Sequence, residues 1–268
     1  SHGMNDRPLK LGFVVNAAAT EKDNYTTIRL ARRALADGHE VALIGLDGFI
    51  YDANDTVRAI AHMPRIDGYP DDAALLAELH GKDATIERIN VEELDVLMLR
   101  SDPAEEVEDR PWAPTSALLF AQLVTRRGVI VLNDPANLTN ASNKTYFQHF
   151  PEEVRPATCI TCQADEIKAF IAAHGGQGVI KPLQGSGGQG VFVVDGHSGA
   201  NLNQMIDAVL RDGYAIAQEY LPRAADGDLR LLTLNGRPLR VDGQYACIRR
   251  YNDSGDARSN ISAGGKVE

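Results

Sequence analysis

A glycine-rich loop between two apolar segments is the feature that most restricts the fold of this chain. Residues 185–190 contain four glycines in six positions, and residues 179–181 and 191–194 on either side have the composition of short β-strands. Glycine tolerates positive φ and leaves backbone N–H groups accessible, so successive amides of such a loop can surround phosphate oxygens. The pattern therefore predicts a β-hairpin whose tip can cover a phosphate group.

The flanking strands exclude three common phosphate-binding motifs. A Walker loop ends in Gly-Lys-Ser or Gly-Lys-Thr and opens a helix, and a dinucleotide fingerprint also leads directly into a helix. A protein kinase places its lysine after the glycine loop and needs His-Arg-Asp and Asp-Phe-Gly motifs, which this sequence lacks. Here Lys181 precedes the loop, in an apolar segment where an unpaired ammonium group would be costly. It either lies on a sheet edge facing water or faces an anionic ligand.

The remaining chain alternates predicted strands and helices, which indicates an α/β fold with parallel sheet. Strands are predicted at residues 9–15, 40–46, 95–99 and 129–132, with helices at 25–37, 71–80 and 114–127. These segments predict an open α/β domain at residues 4–135, whose ligands would lie beyond the carboxyl ends of its strands. We expect a lid subdomain that carries the glycine loop at 136–213, and the start of a further subdomain at 214–268.

Charge and hydropathy limit the partners of this protein. The formal net charge is −10, and an acidic chain is repelled by phosphate backbones and anionic lipids, so neither nucleic acid nor a membrane is expected. No apolar run reaches the roughly 18 to 20 residues of a membrane span, and no leader peptide is recognisable. The lack of a leader, together with cysteines expected to be reduced, predicts a cytoplasmic protein.

Cys159 and Cys162 fit a Cys-x-x-Cys pattern, which occurs in redox and zinc sites. No second cysteine pair follows, and the surrounding residues are typical of a strand. A structural role for the two thiols is therefore favoured, with redox or metal chemistry as the alternative.

Several segments occur in an order that resembles the ATP-grasp superfamily and, within it, bacterial glutathione synthetases. They are Lys144, Lys181-Pro182-Leu183 with the glycine loop, and residues 218–222, 226–230 and 258–265. Residues 95–103 and 131–135 support the closer match. The resemblance covers nearly the whole chain from Lys10 onward. It implies an α/β ATP-grasp fold preceded by an N-terminal open parallel-sheet domain, with an incomplete C-terminal part.

The resemblance also implies roles for individual residues. Those implied to bind ATP are Lys144, Lys181, Gly185, Ser186, Gly187, Gly188, Gln218, Glu219, Tyr220, Leu221 and Asp228. Those implied to act on the reacting groups are Arg230, Arg250, Arg258 and Asn260. Those implied to bind substrate are Arg100, Arg258, Gly264 and Gly265.

The implied reaction is ATP-dependent joining of a carboxylate and an amine through an acyl phosphate, with glutathione made from γ-glutamylcysteine and glycine. ATP and Mg²⁺ are the implied cofactors, and the metal ligands are expected beyond residue 268. The implied partners are an amino acid, a dipeptide and further copies of the chain in a homo-oligomer.

Two segments depart from the family pattern and leave the substrates open. Residues 249–253 differ from the usual form of the substrate loop, and the insert at residues 52–81 has no recognised counterpart. A ligase for a different amino-acid or peptide pair, and a nucleotide-binding protein that has lost catalysis, are the alternatives.

Overall fold

The chain forms two compact units, Ser1–Ser142 and Asn143–Glu268. The computed structural model describes residues 7–65, 67–184, 190–196, 199 and 201–251, together with the backbone of residues 266 and 267.

The first unit is built on a six-stranded sheet in the order β4-β3-β2-β1-β5-β6. Its strands are β1 (Lys10–Val15), β2 (Glu40–Tyr51), β3 (Val57–Met63), β4 (Thr85–Asn90), β5 (Val96–Leu99) and β6 (Ile130–Leu132). The predicted parallel sheet is present, since β2, β1, β5 and β6 are parallel neighbours. The sheet is larger than predicted, because β3 and β4 add two antiparallel strands from the region that the sequence left unassigned.

Helices cover both faces of this sheet. They are α1 (Thr26–Ala36), α2 (Asp72–His80), α3 (Ala113–Arg126) and α4 (Pro135–Asn140). Alternate side chains of β1 enter different cores, as the two-residue period of a strand requires: Phe13 packs with α1 and α2, and Val14 packs with α3. The chain leaves β1 toward β2 on one side, and β5 lies on the other side, so the strand order reverses between β1 and β5.

The second unit begins with an antiparallel sheet in the order β7-β10-β8-β9. Its strands are β7 (Thr158–Thr161), β8 (Gly178–Pro182), β9 (Phe192–Val194) and β10 (Ala215–Gln218), and they pack against α5 (Ala164–Ala173) and α6 (Leu202–Leu210). The predicted hairpin is confirmed, because Gly178 lies opposite Val194 and Ile180 opposite Phe192. β10 belongs to this sheet, although it follows the predicted subdomain boundary at residue 213. That boundary stays a prediction.

Short antiparallel strands form the rest of the second unit. β11 (Asp228–Leu231) pairs with β16 (Cys247–Tyr251), which also pairs with β17 (Lys266–Val267). Between them lie two hairpins, β12 (Thr233–Leu234) with β13 (Arg237–Pro238), and β14 (Arg240–Val241) with β15 (Gln244–Tyr245). Asn235 and Gly236 have φ of 51° and 75°, as a two-residue Asn-Gly turn requires.

Of the helices in the described ranges, none combines the length and apolar character that crossing a bilayer requires.

Candidate functional site

Lys181 lies on an interior strand of the second unit's sheet. β8 is hydrogen-bonded to β10 on one side and to β9 on the other, and Lys181 itself lies opposite Ile216. The sheet-edge interpretation of this lysine is therefore wrong. Its side chain is half-buried, and burial lowers the pKa of the ammonium group, with the nearby charge of Lys144 lowering it further.

Lys144 lies near Lys181, although it belongs to a different part of the chain. It opens a 3₁₀ helix, Lys144–His149, which Asn143 caps by accepting a hydrogen bond from the backbone N–H of Thr145 at 2.9 Å. The backbone N–H of Lys144 donates to the carbonyl oxygen of Leu183 at 3.4 Å, which fixes this helix against the end of β8. Burial lowers the pKa of Lys144 as well.

Two partly desolvated ammonium groups thus lie close together at the base of the glycine hairpin. Within the described part of the chain, no carboxylate forms an ion pair with Lys181. Like charges in a half-buried place repel each other, and an anion bound between them would replace that repulsion by attraction. The two lysines that the sequence assigned to ATP are therefore brought together in a site suited to a polyanion.

The segment assigned to adenine and ribose begins with Gln218, the last residue of β10, and continues beyond the end of that interior strand. Gln218 donates through Nε2 to Thr158 Oγ1 at 3.0 Å. Two hydrogen bonds join Glu219 to Ala157. The backbone N–H of Glu219 donates to the carbonyl oxygen of Ala157 at 3.0 Å, and Oε2 of Glu219 accepts from the backbone N–H of Ala157 at 3.2 Å. One carboxylate oxygen of Glu219 therefore holds the backbone in place. Tyr220 is half-buried, and Leu221 is exposed.

Asp228 and Arg250 form the best-defined ion pair of the second unit. They lie opposite each other on β11 and β16, and the guanidinium donates through Nε and Nη2 to the two carboxylate oxygens at 2.8 Å each. Gly227, just before β11, permits the close approach of its backbone to that of Arg250. Its φ is +97°, and a Cβ there would lie 1.9 Å from the carbonyl oxygen of Arg250. Arg230 lies two residues along β11, with an exposed side chain.

Other assigned residues lie elsewhere. Arg100 belongs to the first unit, where its Nε donates to Thr27 Oγ1 at 3.2 Å just beyond β5. The assigned residues that lie outside the described part of the chain are Gly185, Ser186, Gly187, Gly188, Arg258, Asn260, Gly264 and Gly265.

The cysteine pair lacks the properties of a redox or zinc site. Cys159 is half-buried on β7, and burial raises the pKa of its thiol, which is opposite to the change that activates a cysteine. Among the residues that the structure describes, no group of three or more His, Cys, Asp or Glu side chains is arranged to hold a metal ion.

Sequence reasoning missed a group of residues at the carboxyl ends of β1 and β5. Glu21 is 7% exposed, its Oε1 has no hydrogen-bond partner among the residues that the structure describes, and its pKa is raised to about 7. Burial is the main cause, and the negative charge of Glu105 adds to it while Arg100 opposes it. The loop at residues 16–20 was predicted to follow β1, but a glutamate between a threonine and a lysine gave no signal of burial.

Two family models together cover almost the whole chain. One, described as the N-terminal domain of prokaryotic glutathione synthetase, matches residues 9–139, and one described as its ATP-grasp domain matches residues 143–268.

Relatives with curated names agree with these models. The glutathione synthetase of Vibrio cholerae is 33% identical over 186 residues, which is 67% of this chain and 53% of the relative. The chain thus matches about half the length of this relative. The glutathione synthetase of Gloeobacter violaceus is 31% identical over 275 residues, covering 97% of this chain and 76% of the relative.

Solved structures support the fold. D-cycloserine synthetase DcsG matches with a TM-score of 0.56 and 15% identity, over 96% of this chain and 74% of that one. The ATP-grasp ligase PsnB matches with a TM-score of 0.51 and 15% identity, over 98% and 76%. The chain has the α/β ATP-grasp fold, and it belongs to the prokaryotic glutathione synthetase family.

Proposed function

We propose that the protein is an ATP-dependent carboxylate–amine ligase that makes glutathione from γ-glutamylcysteine and glycine. The observation that carries this proposal is the convergence of Lys144 and Lys181 beside the glycine hairpin, where burial disfavours both charges and the charge of Lys144 further disfavours that of Lys181. Membership of the glutathione synthetase family supports the choice of substrates.

The nucleotide would lie along the antiparallel sheet of the second unit. The two lysines would hold the phosphates, with Gly185, Ser186, Gly187 and Gly188 covering them, because ammonium groups and backbone amides are the donors that phosphate oxygens accept best. Residues 218–221 would border adenine and ribose. This segment is already ordered by the Glu219–Ala157 hydrogen bonds, so little conformational entropy would be lost there on binding.

The chemistry would proceed in two steps. A carboxylate oxygen of γ-glutamylcysteine attacks the γ-phosphorus of ATP, ADP leaves, and an acyl phosphate forms. The amine of glycine then attacks the acyl carbon, loses a proton, and displaces inorganic phosphate to give the amide. Neither step needs a protein nucleophile, so the enzyme acts by positioning anions and stabilising the charge that spreads over the transferring group.

Cationic residues of the second unit would stabilise that charge. Arg250 is held by Asp228 through two hydrogen bonds, so its guanidinium is oriented before substrate binds. Arg230 is exposed on the neighbouring strand and is available to an anionic ligand. Arg258 and Asn260 are proposed to act at the same centre, and Arg258, Gly264 and Gly265 to contact substrate.

Mg²⁺ is proposed to accompany ATP. One solved relative in fold, PsnB, is described as a complex with Mg and ADP, with a TM-score of 0.50 to this chain. Among the described residues, no group of three or more His, Cys, Asp or Glu side chains is arranged to hold a metal ion.

The wider assignments are proposals of the same kind. The chain would divide into an N-terminal domain at 4–135, a lid at 136–213 and a further subdomain from 214. It would act in the cytoplasm as a homo-oligomer.

Nucleotide binding by the 268-residue chain tests the first part of this proposal. Lys181→Met should weaken ATP binding at least about 10-fold, since it removes a charge-assisted contact from a partly buried site. Lys168→Met is the matched control, because Lys168 is an exposed lysine on α5 of the same unit. Equal affinity in both variants would contradict the assignment of Lys181.

ADP release tests the reaction, and it is best measured in the natural full-length protein that contains this sequence. We expect release only when γ-glutamylcysteine and glycine are both present. Release with a different carboxylate–amine pair would identify another ligase, and ATP binding without release for any pair would identify a protein that has lost catalysis.

A further inference from the structure

The outer face of α3 carries a row of exposed side chains that belongs to none of the candidate sites. Trp112 and Leu119 are each 55% exposed, and Arg126 at the end of the helix is exposed as well. These three residues follow one another at intervals of seven, close to two full turns, so they lie along one side of the helix. The opposite side, with Ala117 and Ala121, is buried against the sheet. We call the row of Trp112, Leu119 and Arg126 the α3 stripe.

The two apolar members of the α3 stripe have little to pack against in the described chain. The indole of Trp112 makes no ring or cation–π contact with any described residue. Trp112 caps the helix with φ of −73° and ψ of −25°, so it continues the helical spacing toward Leu119. Single exposed leucines are ordinary, whereas an exposed tryptophan on the same helix face as a leucine is typical of a protein–protein contact.

Two adjacent arginines end α3, and they differ in their partners. Arg127 donates to Glu92 at 2.9 Å, and its guanidinium lies 5.6 Å from the centre of the Tyr51 ring. The side chain of Arg126 forms no ion pair, hydrogen bond or cation–π contact with a residue that the structure describes. The guanidinium of Arg126 is therefore available to an aromatic ring or a carboxylate from outside the chain.

The spacing of the α3 stripe makes it complementary to itself. Leu119 lies seven residues from Trp112 and seven from Arg126. A two-fold axis through Leu119 and perpendicular to the helix therefore places each Trp112 level with Arg126 of a second copy, and the two leucines meet at the axis. Among aromatic side chains, tryptophan attracts a guanidinium most strongly. Two such pairs on either side of an apolar centre are typical of protein interfaces.

The charges at the ends of α3 fit the same arrangement. Glu108 and Asp109 are exposed shortly before Trp112, so the beginning of the helix is acidic, and Arg126 makes its end basic. In an antiparallel pair of helices the acidic end of each copy lies beside the basic end of the other, whereas a parallel pair would place like charges together. Charge therefore favours the antiparallel pair that the two-fold axis requires.

We propose that two copies of the chain associate through the α3 stripe, with their α3 helices antiparallel. Leu119 contacts Leu119 of the second copy, and the indole of Trp112 stacks on the guanidinium of Arg126 of the second copy. The helix has 14 residues, so the contact is small, and association is expected with a dissociation constant of about 10 to 100 µM. This inference rests on the proposed homo-oligomer and names its surface, whereas the proposed reaction is tested separately by ADP release.

Sedimentation equilibrium of the 268-residue chain, from low micromolar to near-millimolar concentration, measures the association. Leu119→Asp should raise the dissociation constant at least about 100-fold, because it places two carboxylates face to face at the two-fold axis. Leu30→Asp is the matched control, an exposed leucine on α1 of the same unit. Circular dichroism checks that both variants remain folded, which is expected at exposed positions.

Exchanging the outer residues of the α3 stripe tests the register of the two helices. Trp112→Arg sets two arginines against each other and should weaken association at least about 10-fold. Adding Arg126→Trp to that variant recreates an arginine–indole pair at both ends, with the roles reversed, and should return the affinity to within about 3-fold of the parent. A double variant that associates no better than Trp112→Arg alone would contradict this register.

Trp112 also reports on the contact directly, since it is the only tryptophan of the sequence. Its emission should move to shorter wavelength and its quenching by acrylamide should fall as the concentration of the chain rises, and Leu119→Asp should abolish both changes. The proposal is overturned if the chain sediments as a single copy throughout, or if the Leu119 and Leu30 variants associate equally. A shielded emission that is independent of concentration also overturns it, because another part of the same chain then covers the α3 stripe.

Discussion

Replacing Glu21 by glutamine should stabilise the protein, and the gain should depend on pH. The pKa of Glu21 is raised from 4.5 to about 7 because the carboxyl group is buried and because the negative charge of Glu105 is near, while Arg100 offsets part of this effect. A raised pKa means that the folded state binds the proton more tightly than the unfolded state. The stability that the protonated group contributes is therefore complete below pH 4.5 and is lost as pH rises through 7.

The magnitude follows from linkage. An increase in pKa from 4.5 to about 7 corresponds to roughly 3 kcal/mol of unfolding free energy lost once the group is ionised in both states. Glutamine carries no charge and avoids this loss. Glu21→Gln should therefore be more stable than the parent by about 1 kcal/mol near about pH 5 and by about 3 kcal/mol near about pH 8.5.

Urea unfolding followed by tryptophan fluorescence measures this difference. Trp112 is the only tryptophan of the sequence and lies in the same unit as Glu21, so the signal reports on the unfolding of that unit. Glu40→Gln, at an exposed position, should change stability little at either pH. Glu106→Gln should instead lower the free energy of unfolding at neutral pH, because it removes the carboxylate that pairs with Arg110.

One result would refute the reasoning about Glu21. If Glu21→Gln changed the unfolding free energy equally at the two pH values, the carboxyl group would not titrate between them in the folded protein. A loss of stability in the variant at the higher pH would show that the ionised carboxylate has a favourable partner.

Three further predictions concern the second unit. Lys181→Met should raise the thermal unfolding midpoint of the ligand-free protein, because it removes a half-buried charge that Lys144 repels. The same substitution should abolish most of the increase in midpoint that ATP produces. A lower midpoint of the ligand-free variant would contradict this reasoning. Gly227→Ala should lower the unfolding free energy by at least about 2 kcal/mol in urea titrations followed by circular dichroism, because its Cβ would overlap the carbonyl oxygen of Arg250 at a φ that alanine rarely adopts. A double-mutant cycle on Asp228→Asn and Arg250→Gln should give a coupling of about 1 kcal/mol, the value for a partly exposed bidentate pair, and additive effects would show that the pair contributes nothing.

The sequence predicted the parts of this molecule that depend on local pattern. The strands on both sides of the glycine loop predicted its hairpin, and β1 and α1 were predicted within a residue or two because apolar periodicity and Gly38 mark their bounds. The order of the motifs indicated that Lys144 and Lys181 act together. The structure brings them together through a backbone hydrogen bond from Lys144 to Leu183.

The missed elements depend on contacts distant in sequence. β3 has the composition Val-Arg-Ala-Ile-Ala-His-Met, in which alanine and histidine weaken the strand signal, so its alternating burial becomes visible only once it pairs with β2. Glu21 is buried in a loop that begins at Asn16, whose side chain is hydrogen-bonded to Asp102, 86 positions from Asn16. No local pattern records such a contact, and a glutamate followed by a lysine and an aspartate is typical of a solvated loop.

The two units share a physical property that indicates what each can bind. Each retains partly buried charge that its own described side chains do not neutralise: a carboxylate at Glu21 in the first unit and an ammonium group at Lys181 in the second. Such charge lowers the stability of the free protein, and a ligand of opposite sign that binds beside it raises that stability. In the first unit protonation of Glu21 removes the charge, whereas in the second unit an anion beside Lys181 would neutralise it. A nucleotide triphosphate meets the requirement of the second unit, which agrees with the proposed function.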